Sequence, residues 1–233
     1  MDKRSNLRVI DFGISDYGEI IGLQNSIVEL RKRDLISDIL LLGEHPHVIS
    51  LGFRAHHGVN GIKDYGLLDG MNIPIYPVMR GGLATYHGPG QIVGYPIFNL
   101  RENGIRVSQF VKMLGDILVD VLSGVGIEAY FDPNMIGVWF NGKKVASIGL
   151  GLRSGITFHG FALNVNTELR YFDLIVPCGM EDIRMTSIKD ILGIDVSMSN
   201  VKENIIKSLT TKFEKPFFEI REYASPDREA CMA

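Results

Sequence analysis

The sequence predicts a mixed fold of helices and strands, either α+β or mixed α/β, in a chain of 233 residues. Two long segments carry apolar residues at helical spacing, and short apolar runs that end at glycine or proline surround them. The hydrophobic and charged fractions, 45% and 22%, are close to the globular averages of roughly 45–50% and about 25%. These features exclude a disordered chain, a collagen-like repeat and a disulfide scaffold.

Net charge and cysteine content narrow the class of protein further. The formal charge is −3, which provides no excess positive charge for a nucleic-acid backbone. Cys178 and Cys231 are the two cysteines, and Cys231 is close to the end, so we expect no structural disulfide. No secretion signal and no run of roughly 18 apolar residues occurs. We therefore expect a cytoplasmic protein with no nucleic-acid and no membrane partner.

The N-terminal half combines one predicted helix with short strands. Apolar residues recur at three- and four-residue spacing over residues 15–33, which predicts an amphipathic helix. The apolar runs at 38–44 and 47–51 predict two strands joined by a tight turn. Residues 73–78 also resemble a strand, but their two prolines confine it to an edge or an irregular path.

Residues 79–95 lose this periodicity and are rich in glycine and polar groups, so we interpret them as a loop before a strand at 95–100. A second helix is predicted over 108–123. Asn141-Gly142 between two strand-like runs predicts a β-hairpin over 136–150. One more strand is predicted over 157–165.

The C-terminal part contains two shorter helical patterns, at residues 181–192 and 199–213. No internal repeat or long linker divides the chain. We therefore expect one domain over residues 1–213, and we interpret residues 214–233 as a C-terminal tail that is optional and flexible.

The glycine-rich segment Arg80-Gly-Gly-Leu-Ala-Thr-Tyr-His-Gly-Pro-Gly-Gln91 is the first candidate for chemistry. Glycines let a backbone approach a ligand closely, so this segment can offer N–H groups to a carbonyl, a thioester or a phosphate. Its spacing matches neither the dinucleotide-binding nor the P-loop pattern. The alternative is a tight turn between strands with an incidental histidine.

Cys178 and Lys144 are the candidate reactive side chains. Cys178 lies between Pro177 and Gly179 ahead of a predicted helix start, where a thiol's pKa is lowered and the nucleophilic thiolate is favoured. The alternative is a buried cysteine that acts as a small hydrophobe. Lys144 shares one strand face with apolar residues, so it can act as a base or as a cation beside a thiol. The alternative is that Lys143 and Lys144 are both solvated.

Histidines are the candidate metal ligands, and His45, His47, His56 and His57 are close in sequence. Neither cysteine lies near them at metal-ligand spacing and no His-Glu-x-x-His motif occurs, so we expect no metal site. His159 is expected to be a strand residue that meets a cavity or a hydrogen-bond partner, or a core histidine.

Four segments occur in a defined order: residues 80–91, Gly142-Lys-Lys-Val-Ala-Ser-Ile-Gly149, Phe158-His-Gly-Phe-Ala-Leu-Asn-Val165 and Pro177-Cys178-Gly179. Together they resemble the octanoyltransferases of lipoate biosynthesis, also called lipoyl(octanoyl) transferases. The resemblance extends to about residue 213. It implies a mixed central sheet with packed helices in one domain, similar to the catalytic domains of biotin protein ligases and lipoate ligases.

The resemblance also implies a reaction. The enzyme would move an octanoyl group from octanoyl-acyl carrier protein to a lysine of a lipoyl domain, through a cysteine thioester. The acceptors would be lipoyl domains of 2-oxoacid dehydrogenase complexes or the glycine cleavage H protein. Cys178 would accept the acyl group and Lys144 would activate it, with no cofactor and no metal. The acyl chain and thioester would be bound by Arg80, Gly81, Gly82, Leu83, Ala84, Thr85, Tyr86, His87, Ser147, Ile148, Gly149, Gly160, Phe161 and Ala162.

Two other functions remain open from the sequence. An ATP-dependent lipoate or biotin protein ligase would have the same fold, but it would need nucleotide-binding groups and no nucleophilic cysteine. A binding module for lipoyl domains without catalytic activity would have no need for both Lys144 and Cys178. Acyl transfer that depends on ATP would distinguish the ligase from an octanoyltransferase. Binding of lipoyl domains without any acyl transfer would identify the binding module.

Overall fold

The computed structural model describes residues 7–57, 61–176, 183–215 and 217–223, and eleven strands lie within these ranges. They are β1 Leu7–Ile14, β2 Ile39–Glu44, β3 Val48–Leu51, β4 Ile75–Pro77, β5 Ala84–His87, β6 Gln91–Ile97, β7 Tyr130–Asp132, β8 Gly137–Phe140, β9 Lys143–Arg153, β10 Ile156–Asn164 and β11 Phe217–Glu222. Eight of them form a mixed sheet in the order β11-β1-β2-β6-β10-β9-β8-β7. Both neighbours of β1 run parallel to it, and the remaining pairs are antiparallel.

Helices cover both faces of this sheet, and they are α1 Tyr17–Lys32, α3 Val107–Ser123, α4 Ile188–Leu192 and α5 Met198–Lys212. A further helix, α2 Tyr65–Gly70, packs with β3 and β5. Leu40 of β2 packs with α3 and α5, whereas Leu41 packs with α1, because successive strand side chains point to opposite faces. Burial on both faces explains why β2 is a continuous apolar run. The predicted fold class is confirmed, and the three long helices begin and end within two residues of their predicted limits.

A second sheet contains three strands in the order β4-β3-β5. The predicted strands at 38–44 and 47–51 both form, but β2 lies in the large sheet and β3 in the small one. His45 in their connection is buried, and its ring contacts the Ser15 carbonyl oxygen at 2.7 Å and the Tyr95 hydroxyl at 2.8 Å. The short connection therefore links the two sheets. β4 is an edge strand, which confirms the prediction for residues 73–78.

Two predictions that involve glycines have different outcomes. The interpretation of residues 79–95 as a loop is wrong in part, because β5 and the first residues of β6 lie within it. Thr85 pairs with Ser50 of β3, so long-range pairing extends a segment that has no clear local strand pattern. The hairpin predicted over 136–150 is confirmed as β8 and β9. Its turn residues Asn141 and Gly142 have φ values of +47° and +75°, the positive φ that a type I′ turn requires.

The C-terminal residues that the structure describes include an edge strand rather than only a tail. β11 pairs with β1, and the Tyr223 N–H donates to the Asp11 carbonyl oxygen at 2.8 Å. Residues 217–222 are therefore part of the large sheet. Of the helix predicted over 181–192 the structure describes α4, and residues 177–182 lie outside the described residues. Within the described ranges, no helix has the length and apolar character needed to cross a membrane.

Candidate active site

A cavity of about 700 Å³ lies where β5 of the small sheet faces β9 and β10 of the large sheet. The first turns of α3 and the turn that precedes β8 complete its walls. Segments that are distant in sequence therefore meet around one space. Of the predicted site residues, the walls contain Arg80, Gly81, Gly82, Leu83, Ala84, Thr85, His87, Lys144, Ser147, Ile148, Gly149, Gly160, Phe161 and Ala162.

Tyr86 and Cys178 are the two predicted site residues outside this set. Tyr86 is fully buried, its hydroxyl lies 2.7 Å from His47 Nδ1, and its ring stacks on Tyr171 at 5.1 Å. Because neighbouring strand side chains point in opposite directions, His87 faces the cavity whereas Tyr86 packs in the core behind it. Tyr86 therefore supports the wall. Cys178 lies outside the described residues.

Backbone hydrogen bonds hold the glycine-rich loop against elements on both sides. The Gly81 N–H donates to the Leu150 carbonyl oxygen at 2.9 Å, and the Gly52 N–H donates to the Leu83 carbonyl oxygen at 3.0 Å. A Cβ at Gly52 would lie 2.5 Å from the Gly82 carbonyl oxygen, so this close approach requires glycine. The loop is therefore a fixed part of the cavity wall.

These contacts also correct part of the expected role of the loop. The Gly81 N–H is used within the protein, and the Gly90 N–H donates to a Glu44 carboxylate oxygen at 2.8 Å. Neither group is available to a thioester oxygen in this conformation. The polar groups that we expect to face a ligand are therefore the side chains of the wall, such as Arg80 and Thr85.

Arg80 lies in the wall with 8% of its surface exposed. Its Nε and Nη2 donate to Ser50 Oγ at 3.1 Å and 2.9 Å, and Nη2 also donates to the Ser50 carbonyl oxygen at 2.6 Å. Its Nη1 donates to the Gly81 carbonyl oxygen at 2.9 Å. A guanidinium stays charged in proteins, so these bonds fix a positive charge beside the cavity.

His87 is held neutral next to this charge. Burial lowers the pKa of His87 well below its ordinary value, and the nearby His45 and Arg80 lower it further. Its Nδ1 lies 2.8 Å from Gln91 Oε1, and because an amide oxygen only accepts, Nδ1 carries the proton. His87 Nε2 is therefore the acceptor in its contact with Ser50 Oγ at 3.3 Å.

The hydrogen-bond chain continues from this imidazole to the backbone of Lys144. Gln91 Nε2 donates to Asn164 Oδ1 at 3.0 Å, and Asn164 Nδ2 donates to the Thr186 carbonyl oxygen at 2.9 Å. The Thr186 N–H in turn donates to the Lys144 carbonyl oxygen at 2.9 Å. A buried series of hydrogen bonds therefore joins the glycine-rich loop to β9, the strand that contains Lys144.

His159 is a strand residue that lines the cavity, one of the outcomes that the sequence left open. Its backbone has a φ of +52°, and its N–H donates to Gln24 Oε1 at 2.8 Å. Its Nδ1 is buried and has no hydrogen-bond partner among the described residues. Burial, with a smaller contribution from Arg80, lowers the pKa of His159 to about 3. It is therefore a neutral ring at neutral pH.

The two adjacent lysines of β9 have different environments. Lys144 is 1% exposed and lines the cavity, whereas the Lys143 side chain is 48% exposed and lies 3.8 Å from Asp190. Lys144 Nζ donates to the Ile136 carbonyl oxygen at 2.9 Å. Its own N–H donates to the Arg184 carbonyl oxygen at 2.8 Å. The alternative in which both lysines are solvated is therefore wrong for Lys144.

Sequence reasoning missed several polar wall residues. Tyr17 and Tyr95 line the cavity from α1 and β6, where ordinary helix and strand patterns contain them. Ser50 contacts Arg80 from β3, and its one sequence signal is a polar residue within an apolar run. Strand pairing, rather than a local motif, brings these residues to the site.

Comparisons with known proteins agree with this geometry. A family model described as the lipoyl protein ligase A/B catalytic domain matches residues 16–210. An octanoyltransferase of Syntrophobacter fumaroxidans is 39% identical over 224 residues, which cover 96% of this chain and 96% of that protein.

Solved structures show the same fold at lower identity. A bi-partite lipoate protein ligase from Thermoplasma acidophilum, described with its E2 lipoyl domain, has a TM-score of 0.73 at 17% identity, covering 97% of this chain and 90% of that one. Biotin protein ligase from Aquifex aeolicus has a TM-score of 0.51 at 15% identity, covering 90% and 70%. The predicted similarity to both ligase classes is confirmed for the fold. The family and sequence matches show that this chain belongs to the lipoyl protein ligase A/B catalytic-domain family and, within it, to the octanoyltransferases, which are acyltransferases.

Proposed function

We propose that this acyltransferase moves an octanoyl group from octanoyl-acyl carrier protein to a lysine of a lipoyl domain, with Cys178 as the intermediate carrier. In the first step, the Cys178 sulfur bonds to the acyl carbon, the donor C–S bond breaks, and the donor leaves as a thiol with the Cys178 proton. In the second step, the nitrogen of the acceptor lysine bonds to the acyl carbon and the C–S bond to Cys178 breaks. The amine gives one proton to the Cys178 sulfur, which restores the thiol.

The observation that carries this proposal is Lys144, a buried lysine in the wall of the cavity. A nearby ammonium group favours a thiolate over a thiol and lowers the thiol's pKa. A free thiol with a pKa near 8.5 is only a few per cent thiolate at neutral pH, and lowering that pKa to about 7 raises the fraction to roughly half. Lys144 therefore supplies the activation that a cysteine nucleophile needs.

The described residues on both sides of Cys178 support its role. The Val176 N–H donates to the Gly61 carbonyl oxygen at 2.7 Å, and a Cβ at Gly61 would lie 3.3 Å from the Ala84 side chain in the cavity wall. Cys178 follows Val176 by two residues, so the chain limits their Cα separation to about 7 Å. On the other side, Arg184 is hydrogen-bonded to Lys144.

The cavity walls combine apolar side chains, including Val111, Ile148, Leu150 and Phe161, with fixed polar groups such as Arg80 and Lys144. This combination is typical of a site that buries an apolar chain and orients one polar end. An eight-carbon acyl chain with a thioester has that chemistry. We propose that the predicted wall residues bind this acyl thioester.

The identities of donor and acceptor rest on the resemblance and on the relatives. The Thermoplasma protein described with an E2 lipoyl domain supports a lipoyl domain as acceptor, either in a 2-oxoacid dehydrogenase complex or in the glycine cleavage H protein. The acyl carrier protein donor supplies an activated thioester, so the proposed transfer needs no nucleotide and no metal. Both partners fit the predicted cytoplasmic location.

The test is acyl transfer by the purified protein without ATP or magnesium. Octanoyl-acyl carrier protein alone should add one octanoyl mass to the peptide that contains Cys178, and adding a lipoyl domain should move that mass to the acceptor lysine. Cys178→Ser should lose most transfer, whereas the matched control Cys231→Ser should retain it. Lys144→Met should slow acylation roughly 10- to 20-fold near neutral pH, because the thiolate fraction falls, and should move the pH dependence upward.

Four outcomes would contradict this proposal. Strict ATP dependence would identify a ligase, and binding of lipoyl domains without transfer would identify a binding module. An acyl group on Cys231, or full transfer by Cys178→Ala, would exclude the proposed intermediate.

A further inference from the structure

Three groups on β8 and the preceding turn surround the side chain of Lys144, and we call them the Lys144 cradle: Ile136, Gly137 and Trp139. The Ile136 carbonyl oxygen accepts a hydrogen bond from Nζ at 2.9 Å. Nζ also lies over the Trp139 ring, 5.3 Å from its centroid. At Gly137, a Cβ would lie only 2.3 Å from Lys144 Cε, so the absence of a side chain leaves room for the lysine.

The cradle is itself held in one conformation. Asp132 Oδ1 accepts the backbone N–H groups of Asn134 at 2.8 Å and Met135 at 3.1 Å, which fixes the turn before β8. Trp139 Nε1 donates to the Met135 carbonyl oxygen at 3.0 Å, and Trp139 is 2% exposed. The indole plane and the Ile136 carbonyl therefore belong to one fixed unit.

Strand register selects Lys144 for this cradle. Trp139 of β8 pairs with Lys144 of β9, and side chains at paired positions share one face of a sheet. A β-bulge between Val138 and Trp139 shifts the register at this point. The neighbouring Lys143 is exposed on the other face and lies near Asp190.

We propose that Trp139 is a positioning residue for acyl transfer, which holds the ammonium of Lys144 at the cavity wall. The proposal rests on the function proposed for Lys144 and Cys178. The indole face attracts a cation through its quadrupole, and the Ile136 carbonyl attracts it as an acceptor. Both groups are uncharged, so they restrain the ammonium without cancelling its charge. The ammonium held in this way would stabilise the Cys178 thiolate in the proposed reaction.

Kinetics of Cys178 acylation test this role. Trp139→Leu should lower the acylation rate constant roughly 10-fold, the effect of losing a buried cation–π contact, while the donor KM stays within about twofold. Trp139→Phe keeps an aromatic face and should lose about threefold or less. Trp139→Leu should add no further loss in a Lys144→Met background, because the indole acts through Lys144.

Emission from Trp139, the single tryptophan of the chain, gives a readout that does not need activity. Lys144→Met should change the emission spectrum, whereas the matched control Lys143→Met should leave it unchanged. If Trp139→Leu does not fold by circular dichroism, Trp139→Met replaces it, because the longer side chain fills more of the space of the indole without an aromatic face. Trp139→Met should then slow acylation by a similar factor.

Two results would overturn the assignment of Trp139. One is an unchanged emission spectrum in Lys144→Met, and the other is a rate loss from Trp139→Leu that persists in the Lys144→Met background. Wild-type protein that forms no acyl-Cys178 would instead overturn the proposed function, and the emission comparison would still decide whether Trp139 contacts the Lys144 charge.

Discussion

Three buried imidazoles lie in and near the cavity wall, and two of them, His87 and His159, lie near the positive charge of Arg80. Burial lowers the pKa of His45 to about 4, that of His87 well below its ordinary value and that of His159 to about 3. Arg80 lowers the pKa of His87 and His159 further. At neutral pH these rings are neutral hydrogen-bonding groups.

The same three histidines make stability depend on pH. Their folded-state pKa values lie below the unfolded value of about 6.5, so the unfolded chain binds more protons as pH falls. Their contribution is complete above about pH 6.5 and is lost as the pH falls, down to about pH 4 for His45 and about pH 3 for His159. Between pH 7 and pH 5 we expect His45 and His159 each to lower the free energy of unfolding by about 2 kcal/mol, and His87 acts in the same direction.

His159→Asn isolates one of these contributions, since asparagine tolerates the positive φ at this position. Urea unfolding at pH 7 and pH 5 should show a difference about 2 kcal/mol smaller in this variant than in the wild-type protein. An equal pH dependence in both proteins would show that His159 keeps its ordinary pKa in the folded state.

Among the secondary-structure elements, β6 and β10 approach closely near two glycines, Gly94 of β6, which pairs with Phe161, and Gly160 of β10. A Cβ at Gly160 would lie 2.1 Å from the Gly94 carbonyl oxygen. At Gly94, a Cβ would lie 2.2 Å from the Phe161 ring, so this ring covers the glycine. The position of Phe161 in the cavity wall thus depends on two residues without side chains.

Gly160→Ala should therefore destabilise the protein through this strand pair. We expect a loss of about 1–3 kcal/mol in the free energy of unfolding, the usual cost of overpacking. Gly70→Ala is the matched control, because no atom lies within 4 Å of its added Cβ, and it should change stability by about 0.5 kcal/mol or less. Equal stabilities of the two variants would show that β6 and β10 separate without cost.

For the molecule as a whole, a buried ion cluster joins the C-terminal segment to the domain. Asp38 is fully buried, and its carboxylate contacts Arg31 Nε at 2.9 Å and Lys215 Nζ at 2.5 Å. Lys215 Nζ also lies over the Phe98 ring, 5.5 Å from its centroid. These contacts connect the end of α1, the residue before β2 and Lys215, which lies two residues before β11.

Lys215→Met should lower the free energy of unfolding by about 3 kcal/mol, because it leaves a buried carboxylate with one cationic partner fewer. The matched control Lys212→Met removes a partly exposed pair with Asp116 and should lose about 1 kcal/mol or less. Chemical denaturation of both variants provides the comparison. If Lys215→Met is as stable as Lys212→Met, the C-terminal segment is the optional tail that its composition suggested.

Local signals were sufficient for the elements that depend on neighbouring residues. Helical spacing predicted α1, α3 and α5, and Asn141-Gly142 predicted the hairpin that carries Lys144. The four motifs predicted most of the cavity wall, because each motif is a continuous segment whose residues stay together. Family membership followed from the same motifs.

Pairing between strands that are distant in sequence decided the features that local signals did not predict. It separated β2 and β3 into two sheets, extended residues 84–87 as a strand, and added residues 217–222 to the sheet edge. It also brought Ser50 to Arg80 and Trp139 to Lys144. A strand's face and partners depend on register against distant strands, and a shift of one residue reverses the direction of every side chain. No local pattern contains that register. Strand alternation placed Lys144 on the more apolar face, and only the tertiary structure shows that this face meets the cavity.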